Sequence, residues 1–169
     1  GNPADTHPFE VTWDLSAAEK SGYDWFMRKE IYEQPRAVAD TLLGRYNTDG
    51  SLKLDELHIP ESELRLVDKI VIVACGTAYY AGLVAKYAIE HWTRIACEVE
   101  IASEFRYRDP IITRSTLVVT LSQSGETADT LMAIRHAREQ HAKVIAICNT
   151  NGATIPRESD AVIYTHAGP

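Results

Sequence analysis

The sequence predicts an α/β domain of three layers, in which a five-stranded parallel sheet of flavodoxin-like order lies between helices and a helical arm precedes it. Three observations predict this. From Lys69 onward short apolar runs alternate with longer stretches of helical periodicity, the pattern of repeated βαβ units. Runs such as Ile70-Val-Ile-Val-Ala74 and Val144-Ile-Ala-Ile147 are apolar at every position, as strands covered on both faces are. Hydroxyl- and glycine-bearing turns follow the first and third runs, where a sheet of order 2-1-3-4-5 reverses its winding and opens a ligand crevice.

The elements follow in order. Residues 1–22 carry turn formers and no clear period, and read as an extended lead-in or linker. A helix is expected from about Asp24 to Glu33 and a second from Pro35, a favoured first helical residue, to Leu43, with Gly44 as its C-terminal cap. Asn47-Thr-Asp-Gly50 is a turn, and Pro60 to Val67 a short amphipathic helix. The arm thus spans 23–67 and the sheet domain 68–169. Within the latter the periodicity predicts strand 69–75, helix 77–92, strand 97–102, short helix 103–107, strand 116–121, helix 125–140, strand 143–148, short helix 153–158 and strand 161–165.

In helix 77–92, residues Ala81, Leu83, Val84, Ala85, Tyr87, Ala88, Ile89 and Trp92 wrap most of the circumference. Such a helix needs cover on its outer side, from the arm or from a second domain or subunit.

Composition excludes several classes of function. At 169 residues and 45% hydrophobic content the chain can bury one core, with an arm besides. The net charge is −7 and the lysines and arginines are scattered, so the electrostatic footprint of a nucleic-acid binder is missing. No run of 18 apolar residues occurs and the N-terminus lacks the basic and apolar regions of a signal peptide. A cytoplasmic protein that does not span a membrane is expected. Cys75, Cys97 and Cys148 lie in or at the ends of apolar runs with no C-x-x-C, which favours free buried thiols over disulfides or zinc. The six histidines show no metal-ligand spacing, although His166, near the end of the last strand, could face the crevice.

The chemistry concentrates at Leu121-Ser-Gln-Ser-Gly-Glu-Thr127. Three hydroxyls, a carboxamide and a glycine stand where a helix begins, with unpaired N–H groups and the positive end of the macrodipole. A phosphate would fit there without a lysine. Ser124 before a helix is also what an ordinary N-cap looks like. The second turn, Cys75-Gly-Thr-Ala78, lies beside the first in the expected strand order, and the pair favours a phosphate site. Glu126 and Asp129 would repel a phosphate unless they point away from it. G-x-G-x-x-G, G-x-x-x-x-G-K-[ST] and G-x-S-x-G are absent, which argues against a dinucleotide, a P-loop nucleotide and a hydrolase elbow.

Six segments carry a resemblance to a known family: Lys29-Glu-Ile-Tyr-Glu-Gln-Pro35, Ala74-Cys-Gly-Thr77, Cys97-Glu-Val-Glu-Ile-Ala-Ser-Glu-Phe-Arg-Tyr-Arg108, Leu121-Ser-Gln-Ser-Gly-Glu-Thr-Ala-Asp-Thr130, Ala146-Ile-Cys-Asn149 and Arg157-Glu-Ser-Asp160. With them, the chain from about Gly22 onward closely resembles the first sugar-isomerase (SIS) domain of the glutamine–fructose-6-phosphate aminotransferases, and residues 1–22 resemble the linker from their glutaminase domain. The resemblance implies a fragment of an enzyme of amino-sugar and cell-envelope precursor synthesis. In it Ser122, Gln123, Ser124 and Thr127 hold the phosphate of fructose 6-phosphate or glucosamine 6-phosphate, while Cys75, Gly76, Thr77 and Ala78 close the pocket.

Relatives often carry a serine where this chain has Ala78, so one side-chain donor is lost. The family's catalytic groups lie in a glutaminase domain and a second SIS domain, so no catalytic residue is expected in this chain, and no cofactor or metal. The implied partners are those two domains and a second copy, as a homodimer. Two other readings stay open: a stand-alone SIS module that senses phosphosugars, which the Lys29-to-Pro35 motif disfavours, and a flavodoxin-like mononucleotide binder, which no residue specifically supports.

Overall fold

The computed structural model describes residues 19–54 and 56–168. The expected linker therefore lies outside the described residues, apart from residues 19–22. The elements run α1 (Phe26–Leu42), α2 (Glu61–Leu64), β1 (Lys69–Ala74), α3 (Gly76–Thr93), β2 (Ala96–Ile101), α4 (Ala102–Tyr107), β3 (Thr116–Ser122), α5 (Ala128–Glu139), β4 (Lys143–Cys148), α6 (Thr154–Glu158) and β5 (Ala161–Tyr164). All strand pairs are parallel, as the alternation predicts, and the order β2-β1-β3-β4-β5 is the flavodoxin-like one expected.

Alternate strand residues feed two cores. On one face Val71, Val73, Val118, Val144 and Ala146 pack with Phe105 of α4, Ile134 of α5 and Ile155 of α6. On the other Ile70, Ile72, Leu117 and Ile145 pack with Ile59 and with Ala85 and Ile89 of α3. Helix α3 approaches the sheet closely at Gly82, where an added Cβ would stand 3.0 Å from Ile72 Cγ2 and 3.1 Å from Val99 Cγ1. A larger residue would push the helix outward.

The arm differs from expectation at two points. The helix expected over 60–67 is confined to Glu61–Leu64. Pro35 does not open a second helix but lies inside a single 17-residue α1. Proline here removes one backbone donor, and the helix runs through it. Gly44 follows the last turn with φ of +75°, as expected of a terminating glycine. The end of the arm is tied to the last strand: the Thr41 hydroxyl lies against the Thr165 carbonyl, and Arg45 donates to the Tyr164 carbonyl and pairs with Glu56. Among the described residues no helix is long and apolar enough to cross a membrane.

Candidate functional site

Residues Ser122 to Thr127 form the connection from the carboxyl end of β3 to α5. Helix α5 begins at Ala128, not near Gly125, because the hydroxyls keep the intervening residues in a turn. Ser122 is buried, and its Oγ accepts from Gly125 N (3.1 Å) and lies 3.3 Å from Thr127 Oγ1. Thr127 is the N-cap residue of α5, yet its side chain makes no capping bond. The first N–H groups of the helix therefore lack that side-chain acceptor. Ser124 is exposed, and its Oγ accepts from Glu126 N at 3.3 Å.

Gly125 is fixed by its neighbours. Its φ is +67°, and a Cβ would stand 2.5 Å from Ala153 Cβ and 2.7 Å from Cys148 Sγ. Only glycine lets the turn lie this close to the loop after β4. That loop in turn holds the Gln123 carbonyl, which accepts from Asn149 N and Thr150 N (both 3.2 Å) and from Thr150 Oγ1 (3.3 Å). The Gln123 side chain is left exposed.

For Glu126 the carboxylate problem resolves by direction. Glu126 Oε1 accepts from Thr154 N at 2.7 Å, so the side chain reaches the start of α6. Hydrogen bonds from Thr154, helped by nearby Arg157, hold its carboxyl below the usual range. Arg157 itself donates to Thr154 Oγ1 at 3.1 Å. The negative charge is thus compensated by a network on the α6 side. Asp129 stands in the first turn of α5.

The second turn lies where the strand order puts it. Ala74 pairs with Leu121, which sets Cys75 beside Ser122 across the β1/β3 edge. Gly76 has φ of +58°; Cys75 and Ala78 are half-buried, while Gly76 and Thr77 are exposed. The structure thus brings the Ser122 and Thr127 hydroxyls into contact and places the Cys75–Ala78 turn alongside. The hydrogen bonds described for the site belong to the β3 turn, the loop after β4 and α6.

Cys75, Cys97 and Cys148 are free, and burial pushes the thiols of Cys97 and Cys148 up. His166 lines a cavity of about 250 Å³ with Gly44, Arg45, Lys53 and Glu56, on the arm side. The chain turns there with φ of +51°. Among the described residues no group of three or more His, Cys, Asp or Glu could hold a metal ion. Asn149, Thr154 and Arg157 are the positions the residue pattern left without a role. Asn149 and Arg157 stand inside the motifs quoted above, but nothing local to them signals that their partners lie across the turn.

A family model described as SIS domain matches residues 63–169. The glutamine–fructose-6-phosphate aminotransferase [isomerizing] of Streptomyces coelicolor is 73% identical over the whole of this chain, which covers 28% of that protein. The protein of the same name from Corynebacterium diphtheriae is 71% identical, again over the whole chain and 27% of its own length. The chain thus spans little more than a quarter of the curated relatives it matches. Among solved structures, the C-terminal domain of glucosamine-fructose-6-phosphate aminotransferase from Francisella tularensis superposes with a TM-score of 0.80 at 45% identity, covering 89% of this chain and 42% of that one. A glucosamine-6-phosphate deaminase from Thermotoga maritima, at 21% identity and a TM-score of 0.66, shares the fold.

Proposed function

Because the chain belongs to the SIS domain family, we propose that it is the phosphate-gripping part of a glutamine–fructose-6-phosphate aminotransferase, with the phosphate of fructose 6-phosphate or glucosamine 6-phosphate seated on the turn between β3 and α5. One observation carries this. The Ser122 and Thr127 hydroxyls meet at 3.3 Å where α5 begins without a side-chain cap, while Glu126 is turned onto α6. A part-buried hydroxyl pair, open helix N–H groups and a diverted carboxylate suit a dianion better than a simple cap.

The high identity to proteins of that name supports the parent reaction, in which fructose 6-phosphate and glutamine give glucosamine 6-phosphate and glutamate. In this reading Ser122, Ser124, Thr127 and the α5 N–H groups hold the phosphate, Gln123 offers its carboxamide, and Cys75, Gly76, Thr77 and Ala78 form the adjoining wall. Residues 68–169 form the first of two SIS domains, residues 23–67 its arm, and residues 1–22 the tether to a glutaminase domain. Fixing the phosphate lets remote binding energy orient the sugar carbonyl for groups that the rest of the enzyme supplies. The chain alone binds the sugar phosphate and does not turn it over.

Amide NMR of the chain with glucosamine 6-phosphate, glucosamine and inorganic phosphate tests the reading. Shifts should centre on residues 76–78 and 122–127, require the phosphate, and weaken about tenfold or more in Ser124→Ala, the loss expected for one hydrogen bond to a charged group. A folded chain whose amides at 122–127 ignore both phosphate compounds would leave the turn as a cap and nothing else.

A further inference from the structure

Asn149 directly follows β4 and reaches in two directions. Its main-chain N–H donates to Gln123 O at 3.2 Å, which seats it against the turn after β3. Its carboxamide is taken up by the segment after β5: Oδ1 accepts from Thr165 Oγ1 (2.8 Å) and Ala167 N (2.7 Å), and Nδ2 donates to Gly168 O (2.6 Å). The segment 165–168 therefore wraps around one side chain. Because β5 is the edge strand, a chain leaving it has no sheet neighbour on its outer side. Asn149 instead draws it back over the carboxyl end of β4, the strand next to β3.

We propose that Asn149 is a positioning residue, which holds residues 165–168 beside the phosphate turn so that they bound the sugar portion of the ligand. The proposal rests on the phosphosugar reading above. Geometry makes asparagine hard to replace, since the site needs two acceptor contacts and one donor from a planar group. Aspartate keeps the acceptors but sets a carboxylate against the Gly168 carbonyl, and alanine releases all three bonds. The main-chain bond to Gln123 survives either change, so the phosphate turn itself should stay in place.

The isotopically labelled 169-residue chain, with Asn149→Ala, Asn149→Asp and Thr165→Val, is titrated separately with inorganic phosphate and glucosamine 6-phosphate. Wild type should bind the sugar phosphate about tenfold more tightly than inorganic phosphate and shift amides 165–168 only with the sugar phosphate. Asn149→Ala should bring that ratio to about one while holding the affinity for inorganic phosphate within about twofold, and Thr165→Val, which deletes one bond, should fall between. Exchange of the Ala167 amide should accelerate about tenfold in Asn149→Ala and much less in Asn149→Asp, which keeps its acceptor.

A purely structural role would accelerate exchange and leave the ratio unchanged, and that result overturns the proposal. If both ligands shift 122–127 and the sugar phosphate leaves 165–168 unmoved, the proposal falls and the phosphate reading stands. If neither ligand shifts 122–127, the phosphate reading falls and takes this proposal with it.

Discussion

Replacing Gly125 by alanine tests whether the phosphate turn is built by close contact with the loop after β4. The added methyl would stand 2.5 Å from Ala153 Cβ, 2.7 Å from Cys148 Sγ and 3.3 Å from Pro156 Cδ. Ala153 Cβ cannot move without its main chain, and Cys148 is only 1% exposed. Gly125 also has φ of +67°, where an L-residue costs about 1–2 kcal/mol. Overpacking a filled site adds about 1–3 kcal/mol, for a total of about 2–5 kcal/mol. Domains have about 5–15 kcal/mol to lose, so the variant should fold but unfold at a clearly lower urea midpoint with an unchanged slope. Ala153→Gly deletes the nearest atom, and in a double-mutant cycle the two changes should couple by about 0.5–3 kcal/mol. Strict additivity would refute the contact with Ala153. A cost below about 1 kcal/mol for Gly125→Ala alone would refute the strained backbone as well.

Three further outcomes follow from the same structure. Because hydrogen bonds from Thr154 depress the Glu126 pKa, its stabilising contribution is complete above the ordinary value of 4.5 and is lost as pH falls through the lower folded value; melting curves of wild type and Glu126→Gln should diverge above that range and converge in acid, and a constant gap would contradict the cap on α6. Alkylation of the native chain should modify half-buried Cys75 first and spare Cys97 and Cys148, whose thiols burial pushes up; rapid loss of Cys148 by mass spectrometry would mean that the loop beneath Gly125 opens. Ala78→Ser should tighten sugar-phosphate binding about two- to tenfold by adding one hydroxyl at the second turn, and an unchanged titration would place residue 78 outside the site.

The fold was legible because its signals are local. Continuous runs such as Ile70–Ala74 announce strands covered on both faces, and their alternation with helices announces a parallel sheet, to which the flavodoxin-like order fits as one of the common doubly wound orders. Ends were less legible where side chains outvote propensity. Glu126 and Thr127 suit a helix start, yet the Ser122 hydroxyl captures Gly125 N, and α5 waits until Ala128. Pro35 reads as a helix start, and only the observed continuity of α1 shows that one missing donor is tolerated there. Long-range pairings left no local trace: Glu126 finds Thr154 across 28 residues, and Asn149 finds Gly168 across 19. His166 lines a cavity with the arm residues Gly44, Arg45, Lys53 and Glu56, a neighbourhood that a position near a strand's end does not signal.

The two faces of the sheet are unequally finished, and the difference bears on the site. On the face under α4, α5 and α6, Phe105, Ile134 and Ile155 are wholly enclosed. Helix α3 covers the other face through Gly82 and turns Tyr80, Val84 and Tyr87, spaced for one helical stripe, outward at 65–76% exposure. The sequence asked for cover there from the arm or from another domain or subunit. Helix α1 shares no substantial contact with α3 and the end of the helix is tied instead to the end of β5, while Ile59, later in the arm, packs with the inner side of α3. A bare apolar stripe favours association, so the chain should sediment as a concentration-dependent mixture that Val84→Glu with Tyr87→Lys returns to monomer. The phosphate turn is braced by α5, α6 and the β4 loop, all on the finished face, so the same double substitution should leave the shifts at residues 122–127 intact. Loss of phosphate binding together with loss of association would show that the turn after β3 depends on what covers α3, and that the domain is not the self-sufficient grip its buried side implies.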